Sequence, residues 1–152
     1  MKFLLYILVA LNSSVALGLC VKGRKANLRT GPGSKYPISW TVQKNMPLLE
    51  VSRRGSWVEV KDVDGMRHWA YRPVLTSSRQ CLVVKTNVAN LRSGPGKKYG
   101  MAEPLSRADR YFAFEKIDSD LGYYKINVEG MGPAWIHESL VWRAITVQKI
   151  GF

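Results

Sequence analysis

Apolar and polar residues alternate along most of this chain in short runs, and no window sustains a helical period. Ile38-Ser39-Trp40-Thr41-Val42, Leu48-Leu49-Glu50-Val51-Ser52 and Trp57-Val58-Glu59-Val60-Lys61 are the clearest. A period of two is the pattern of a half-buried strand. Turn chemistry separates the runs at Lys44-Asn45-Met46-Pro47, Arg53-Arg54-Gly55-Ser56 and Asp62-Val63-Asp64-Gly65. The last of these carries an Asp-Gly pair, which favours a hairpin. His68-Trp69-Ala70-Tyr71 resumes an extended segment, and Arg72-Pro73-Val74-Leu75 reads as a short helical turn or a last strand. An antiparallel set this short must curl and close to cover its edges, so residues 20–76 predict a small SH3-like barrel.

The pattern is written twice. Ala26-Asn27-Leu28-Arg29-Thr30-Gly31-Pro32-Gly33-Ser34-Lys35-Tyr36 returns as Ala89-Asn90-Leu91-Arg92-Ser93-Gly94-Pro95-Gly96-Lys97-Lys98-Tyr99, displaced by 63 positions. Self-similarity at a fixed displacement sets the domain count before any single element does. Each copy is a short strand, a Gly-Pro-Gly turn, an exposed lysine and a tyrosine. Farther on, Trp57 and Trp69 correspond to Tyr123 and Trp135 at a displacement of 66, so three residues are inserted between Tyr99 and Tyr123. The expected organisation is all-β, with two tandem small SH3-like barrels at 20–76 and 81–144, a linker at 77–80 and a basic, apolar tail at 145–152.

Residues 1–18 stand apart. Lys2, the apolar run Phe3 to Leu11, and small residues at Ser14-Val15-Ala16 and Ala16-Leu17-Gly18 make a signal-peptide pattern. The run is shorter than the roughly 20 residues a spanning helix needs, and the rest of the chain has no apolar stretch of that length. Leu19 is too large for a lipid-anchor motif ahead of Cys20. The mature protein is therefore expected to be exported, secreted or periplasmic, without a transmembrane segment. Export changes the reading of the two cysteines: Cys20 and Cys81 are expected to form a disulfide that ties together the two ends of the first domain.

The formal charge is +12, with basic residues spread through both copies. Such a field attracts polyanions in general. In an exported protein these are envelope polymers, anionic lipid or acidic peptides, and export argues against nucleic acid. Little points to catalysis. Both cysteines are committed, His68 and His137 fall in different copies, and no three residues have the spacing of a metal site. Glu50, Glu59, Asp62 and Asp64 read as solvated strand or turn positions. No enzyme activity, metal or cofactor is expected.

Asn27-Leu28-Arg29, Gly31 to Gly33, Tyr36, Gly55-Ser56-Trp57, Asp64-Gly65, Trp69 and Leu75 together resemble the bacterial SH3 (SH3b) domain, and the second copy repeats most of them. The resemblance implies a shallow groove beside the loop after the first strand. Its candidate residues are Arg29, Tyr36, Trp57 and Tyr71 in the first copy and Arg92, Tyr99, Tyr123 and Tyr124 in the second. Trp69 and Trp135 are expected in the core before the groove, and Leu28 and Leu91 in the core outright. The resemblance also implies a non-enzymatic protein that binds peptidoglycan, through cell-wall peptide or glycan, or another envelope component. The alternatives are a periplasmic adaptor for an envelope protein and an electrostatic binder of anionic polymer or lipid.

Overall fold

The computed structural model describes residues 18–145; the expected signal peptide, Gly18 apart, and residues 146–152 of the tail lie outside the described residues. The fold is all-β, as the alternation predicts. The first barrel is built from β1 (Gly18–Val21), β2 (Lys25–Arg29), β3 (Ile38–Gln43), β4 (Pro47–Arg54), β5 (Trp57–Lys61), β6 (Arg67–Tyr71), a 3-10 turn (Arg72–Val74) and β7 (Leu75–Thr76). These strands form one sheet in the order β3-β2-β6-β5-β4-β1-β7. The second barrel repeats the series as β8 (Gln80–Val84), β9 (Val88–Asn90), β10 (Arg107–Asp109), β11 (Ala113–Asp120), β12 (Tyr123–Val128), β13 (Gly132–His137), a 3-10 turn (Glu138–Leu140) and β14 (Val141–Trp142). Here the five strands β13-β12-β11-β8-β14 form one sheet and β9 and β10 a separate pair, bridged to β13 where Arg92 meets Trp135.

The two copies follow the same order of elements and share details of register. β4 and β11 show the same succession, two buried residues, two half-buried and four exposed. Each has a bulge at the equivalent point, between Glu50 and Ser52 and between Lys116 and Asp118. A bulge bends the strand and sharpens its twist, which lets so short a sheet close. Inside the barrels, alternate residues point inward: Ala26 and Leu28 on β2, Val58 and Val60 on β5, Leu91 just after β9, and Ile126 and Val128 on β12 are all buried. Fully burying each large aliphatic side chain contributes about 1.5–3 kcal/mol.

The barrels are packed together along β1 and β8. Leu82 and Val84 join the core of the second barrel, while Val83, between them, joins the core of the first together with Ala113. A strand whose two faces lie in two different cores must be apolar throughout, and Leu82-Val83-Val84 is. Cys20 and Cys81 form the expected disulfide, with Cα atoms 5.9 Å apart. Its role differs from the expectation: it does not close the first domain on itself but staples β1 of one barrel to β8 of the next. Tyr111 extends the contact, its ring edge-on to Trp40 at 5.4 Å and its hydroxyl donating to Asp64 Oδ2 at 2.8 Å. Lys44 and Glu129 add an exposed ion pair at 3.3 Å, worth at most about 1 kcal/mol.

Two expectations are corrected. Trp69 and Trp135 are only half-buried. Their neighbours His68 and Ala70, and Ala134 and Ile136, take the inward positions, so the tryptophans face outward. Successive residues of a strand point to opposite faces, so with these neighbours inward the indoles must lie on the outer face. Asp62, read as a solvated turn residue, is 4% exposed, and its Oδ2 accepts from His68 Nε2 at 2.8 Å. A short-range turn signal cannot report a partner six residues on that comes from the next strand.

Candidate ligand-binding grooves

Each repeated motif ends at a cavity. In the first barrel Lys25, Ala26, Asn27 and Arg29 on β2, Ser34 in the Gly-Pro-Gly loop, Trp57 on β5, Tyr71 at the end of β6 and Val74 in the 3-10 turn line about 550 Å³. In the second barrel Asn90, Arg92, Lys97, Tyr123, His137 and Leu140 line about 290 Å³. Asn27, Arg29, Ser34, Trp57, Tyr71 and Val74 correspond to Asn90, Arg92, Lys97, Tyr123, His137 and Leu140, while Lys25 lines only the first. Antiparallel register produces the match: Trp57 pairs across strands with Tyr71, and Tyr123 with His137. The strand ends therefore carry two rings side by side to the rim where the loop stands.

The loop itself is held by three contacts that recur. Arg29 Nη1 donates to the carbonyl of Tyr36 at 2.8 Å, and Arg92 Nη1 to that of Tyr99 at 3.0 Å. The Tyr36 ring lies flat on Gly31, so a Cβ at that position would come within 2.4 Å of the ring; for Gly94 and Tyr99 the distance is 2.3 Å. Glycine is required there by close approach. Lys35 Nζ sits 5.5 Å from the Tyr36 ring centre and Lys98 Nζ 5.3 Å from that of Tyr99, within cation–π range.

The structure thus gathers Arg29, Trp57 and Tyr71 in one groove and Arg92 and Tyr123 in the other. Tyr36 and Tyr99 are about one-third exposed but are loop staples and do not line the cavities. Tyr124 lies on the opposite face of β12 from Tyr123, as strand periodicity requires. There its ring is sandwiched by Lys116 Nζ at 5.4 Å and the Arg143 guanidinium at 5.2 Å. Burial, and secondarily the charge of Arg143, push the Lys116 ammonium below its ordinary pKa. Sequence reasoning missed Lys97 and His137 as groove residues. The displacement of 66 that relates Trp57 to Tyr123 also relates Tyr71 to His137, and that signal was available.

A second constellation was not expected. His68 links Asp62 Oδ2, at Nε2, with the Ser39 hydroxyl, 2.6 Å from Nδ1. The connectivity is that of a Ser-His-Asp relay, but the surroundings are structural. Asp62 Oδ1 accepts from the backbone N–H groups of Asp64 and Met66, both at 2.9 Å, and so caps the β5–β6 hairpin. Trp40 packs against the His68 ring at 6.1 Å. Neither Ser39 nor His68 lines either groove. Among the described residues no three His, Cys, Asp or Glu side chains cluster as a metal site, and no helix is long and apolar enough to cross a membrane.

With this geometry in place, comparison with known proteins is informative. Residues 22–76 match the bacterial SH3 domain family, so the first barrel is a bacterial SH3 domain. A putative N-acetylmuramoyl-L-alanine amidase of Bacillus subtilis is 25% identical over 125 residues, covering 76% of this chain and 23% of the amidase. A probable cell wall amidase of Staphylococcus epidermidis is 38% identical over 40 residues, covering 26% of this chain and 14% of that enzyme. The chain thus spans under a quarter of the length of these curated relatives. Among solved structures, an NlpC/P60 family protein from Bacillus cereus is 14% identical at a TM-score of 0.38, covering 85% of this chain and 57% of that one. The LysPBC5 endolysin CBD is 20% identical at a TM-score of 0.32, covering 85% and 93%.

Proposed function

We propose that the protein is an exported, non-enzymatic binder of the bacterial cell wall. In this reading residues 81–144 are a second SH3b module, and both modules present their grooves to peptidoglycan. The observation that carries the proposal is the recurrence of one groove at equivalent positions in both barrels, built from the repeated motif itself. The relatives support it: residues 22–76 match the bacterial SH3 domain family, and of the two amidase relatives one is named a cell wall amidase. Two modules on a short linker raise each other's effective concentration on a polymer when both can engage.

The test is co-sedimentation of the mature protein with purified sacculi across a salt series. Retention at about 0.3 M salt, where the Debye length falls below roughly 8 Å, is expected of a groove that makes short-range contacts. Tyr71→Ala, which removes an exposed groove ring, should weaken it. Binding that vanishes at that salt would leave only the positive charge as its cause. Absence of binding at every salt would overturn the reading in favour of a protein partner.

A further inference from the structure

We infer that copies of this protein associate head to tail, the β11–β12 hairpin of one docking by Leu121 into the first groove of the next. The inference goes beyond the wall-binding reading and does not depend on it. It starts from a residue whose conformation and exposure are both unfavourable within the chain.

Leu121 stands at the tip of the β11–β12 hairpin at φ 48°, and it is 78% exposed. The equivalent residue of the first barrel, 66 positions earlier, is Gly55 at φ 58°. Glycine takes this left-handed conformation freely, whereas leucine is strained in it. Tyr111 is strained in the same way, but its ring and hydroxyl are held by Trp40 and Asp64 of the first barrel. Leu121, open to solvent, has no comparable contact among the described residues. Ile117, at the bulge of the same hairpin, is 50% exposed as well. A strained, outward-pointing apolar side chain marks a contact surface.

Charge selects the partner. Asp118 and Asp120 precede Leu121, and Glu138 lies beside Gly122. All three acids are exposed and make no ion pair among the described residues. Lys125, opposite Asp118, sits over the Trp135 ring instead. The tip is an acidic spot on a chain of formal charge +12. At the equivalent positions the first barrel has the opposite sign, Arg54 for Asp120 and Arg72 for Glu138. These arginines flank the first groove, since Arg54 pairs with Trp57 and Arg72 follows Tyr71. Lys25 and Arg29 line that groove, and no carboxylate does. Glu59, two residues beyond Trp57, is already engaged by Ser52 and Arg67.

Within the same cavity of about 550 Å³, Trp57, Tyr71 and Val74 offer an apolar wall to a leucine side chain. The second groove has about 290 Å³ and the acids at its own mouth, so an acidic tip is repelled there. Pairing the tip of one copy with the first groove of another is thus the complementary arrangement. Because the two surfaces differ, the contact is heterologous and propagates into rings or open chains.

The test is sedimentation equilibrium of the mature protein at low salt, where screening is weak. The mean mass should rise with concentration past that of a dimer, with a Kd on the order of 0.1 mM, as suits a small transient contact. Leu121→Gly should weaken association about tenfold or more, the loss of one buried leucine, and leave the thermal midpoint unchanged or higher. A lower midpoint with unchanged association would assign Leu121 to the fold and overturn the inference. Asp120→Arg with Glu138→Arg, and separately Arg54→Asp with Arg72→Glu, should each be monomeric alone. An equimolar mixture of the two should associate again, because the reversed charges match. A mixture that stays monomeric while both variants keep the wild-type circular dichroism overturns the inference. So does a wild type that remains monomeric about tenfold above that Kd. Sacculi enter none of these measurements, so the wall-binding reading stands or falls separately.

Discussion

The two barrels share a frame and differ where the frame meets something else. At the turn before β4 the first barrel has Asn45 at φ 68°, and the equivalent turn before β11 has Tyr111 at φ 70°. Asparagine enters this left-handed region readily; a tyrosine there is strained by about 1–2 kcal/mol. The strain persists because Tyr111 docks on Trp40 and Asp64 of the first barrel. The grooves show the same division. Arginine and the loop glycines are shared, because they hold the loop; the ring pairs at the rim, Trp57 with Tyr71 and Tyr123 with His137, differ. Positions that serve the fold repeat, and positions that serve a contact diverge.

The comparison can be broken most forcefully in the cores. Leu28 and Leu91 are equivalent and both fully buried, so Leu28→Ala and Leu91→Ala should each cost about 2–5 kcal/mol in urea unfolding. A large inequality would show that one barrel depends on the other for its stability. Next comes the staple. Cys20→Ser with Cys81→Ser should lose about 4 kcal/mol in the chain-entropy account of a loop of this size, the cysteines being 61 positions apart in sequence. Because the bridge joins the barrels, limited proteolysis should then cut within 77–80 faster than in wild type. Cleavage inside the first barrel instead would return the disulfide to the role the sequence suggested.

The loop glycines give a middle-sized effect. Gly31→Ala and Gly94→Ala should each displace the underlying tyrosine ring, costing about 1–3 kcal/mol by thermal unfolding, and the two should agree closely. The smallest effect belongs to Tyr111. Its hydrogen bond to the Asp64 carboxylate holds its hydroxyl above the ordinary tyrosine pKa. A raised folded-state value means that this contribution is complete below the unfolded pKa and is lost as pH rises through the folded one. Stability of wild type should therefore fall more steeply on the alkaline side than that of Tyr111→Phe, and identical alkaline profiles would show that the bond contributes nothing. The group is exposed, so the difference should be small.

Much of this fold was legible in the chain. Period-two alternation located β3, β4, β5 and β6 to within a residue or two, and the Asp64-Gly65 turn joins β5 to β6 as its chemistry suggests, with Gly65 at φ 80°. The groove was legible only in part. Trp57, Tyr71 and Tyr123 stood out as aromatics near turns, but Tyr36 and Tyr99 carry the same signal and serve as loop staples. His137 and Lys97 carry no aromatic signal and came into view only through register.

The amino-acid sequence by itself determined the all-β class, the position of most strands of the first copy and the pairing of the two cysteines, because these follow from local alternation, turn chemistry and the count of cysteines. Tertiary structure alone decided that the disulfide joins two barrels and that Trp69 faces outward. It also decided that Asp62 is buried beneath His68 and that Trp57 comes to lie beside Tyr71, and Tyr123 beside His137, at the rim of a groove. Each of these depends on which residues a closed sheet brings together across strands, and a linear pattern holds no record of what arrives from the next strand or the next barrel.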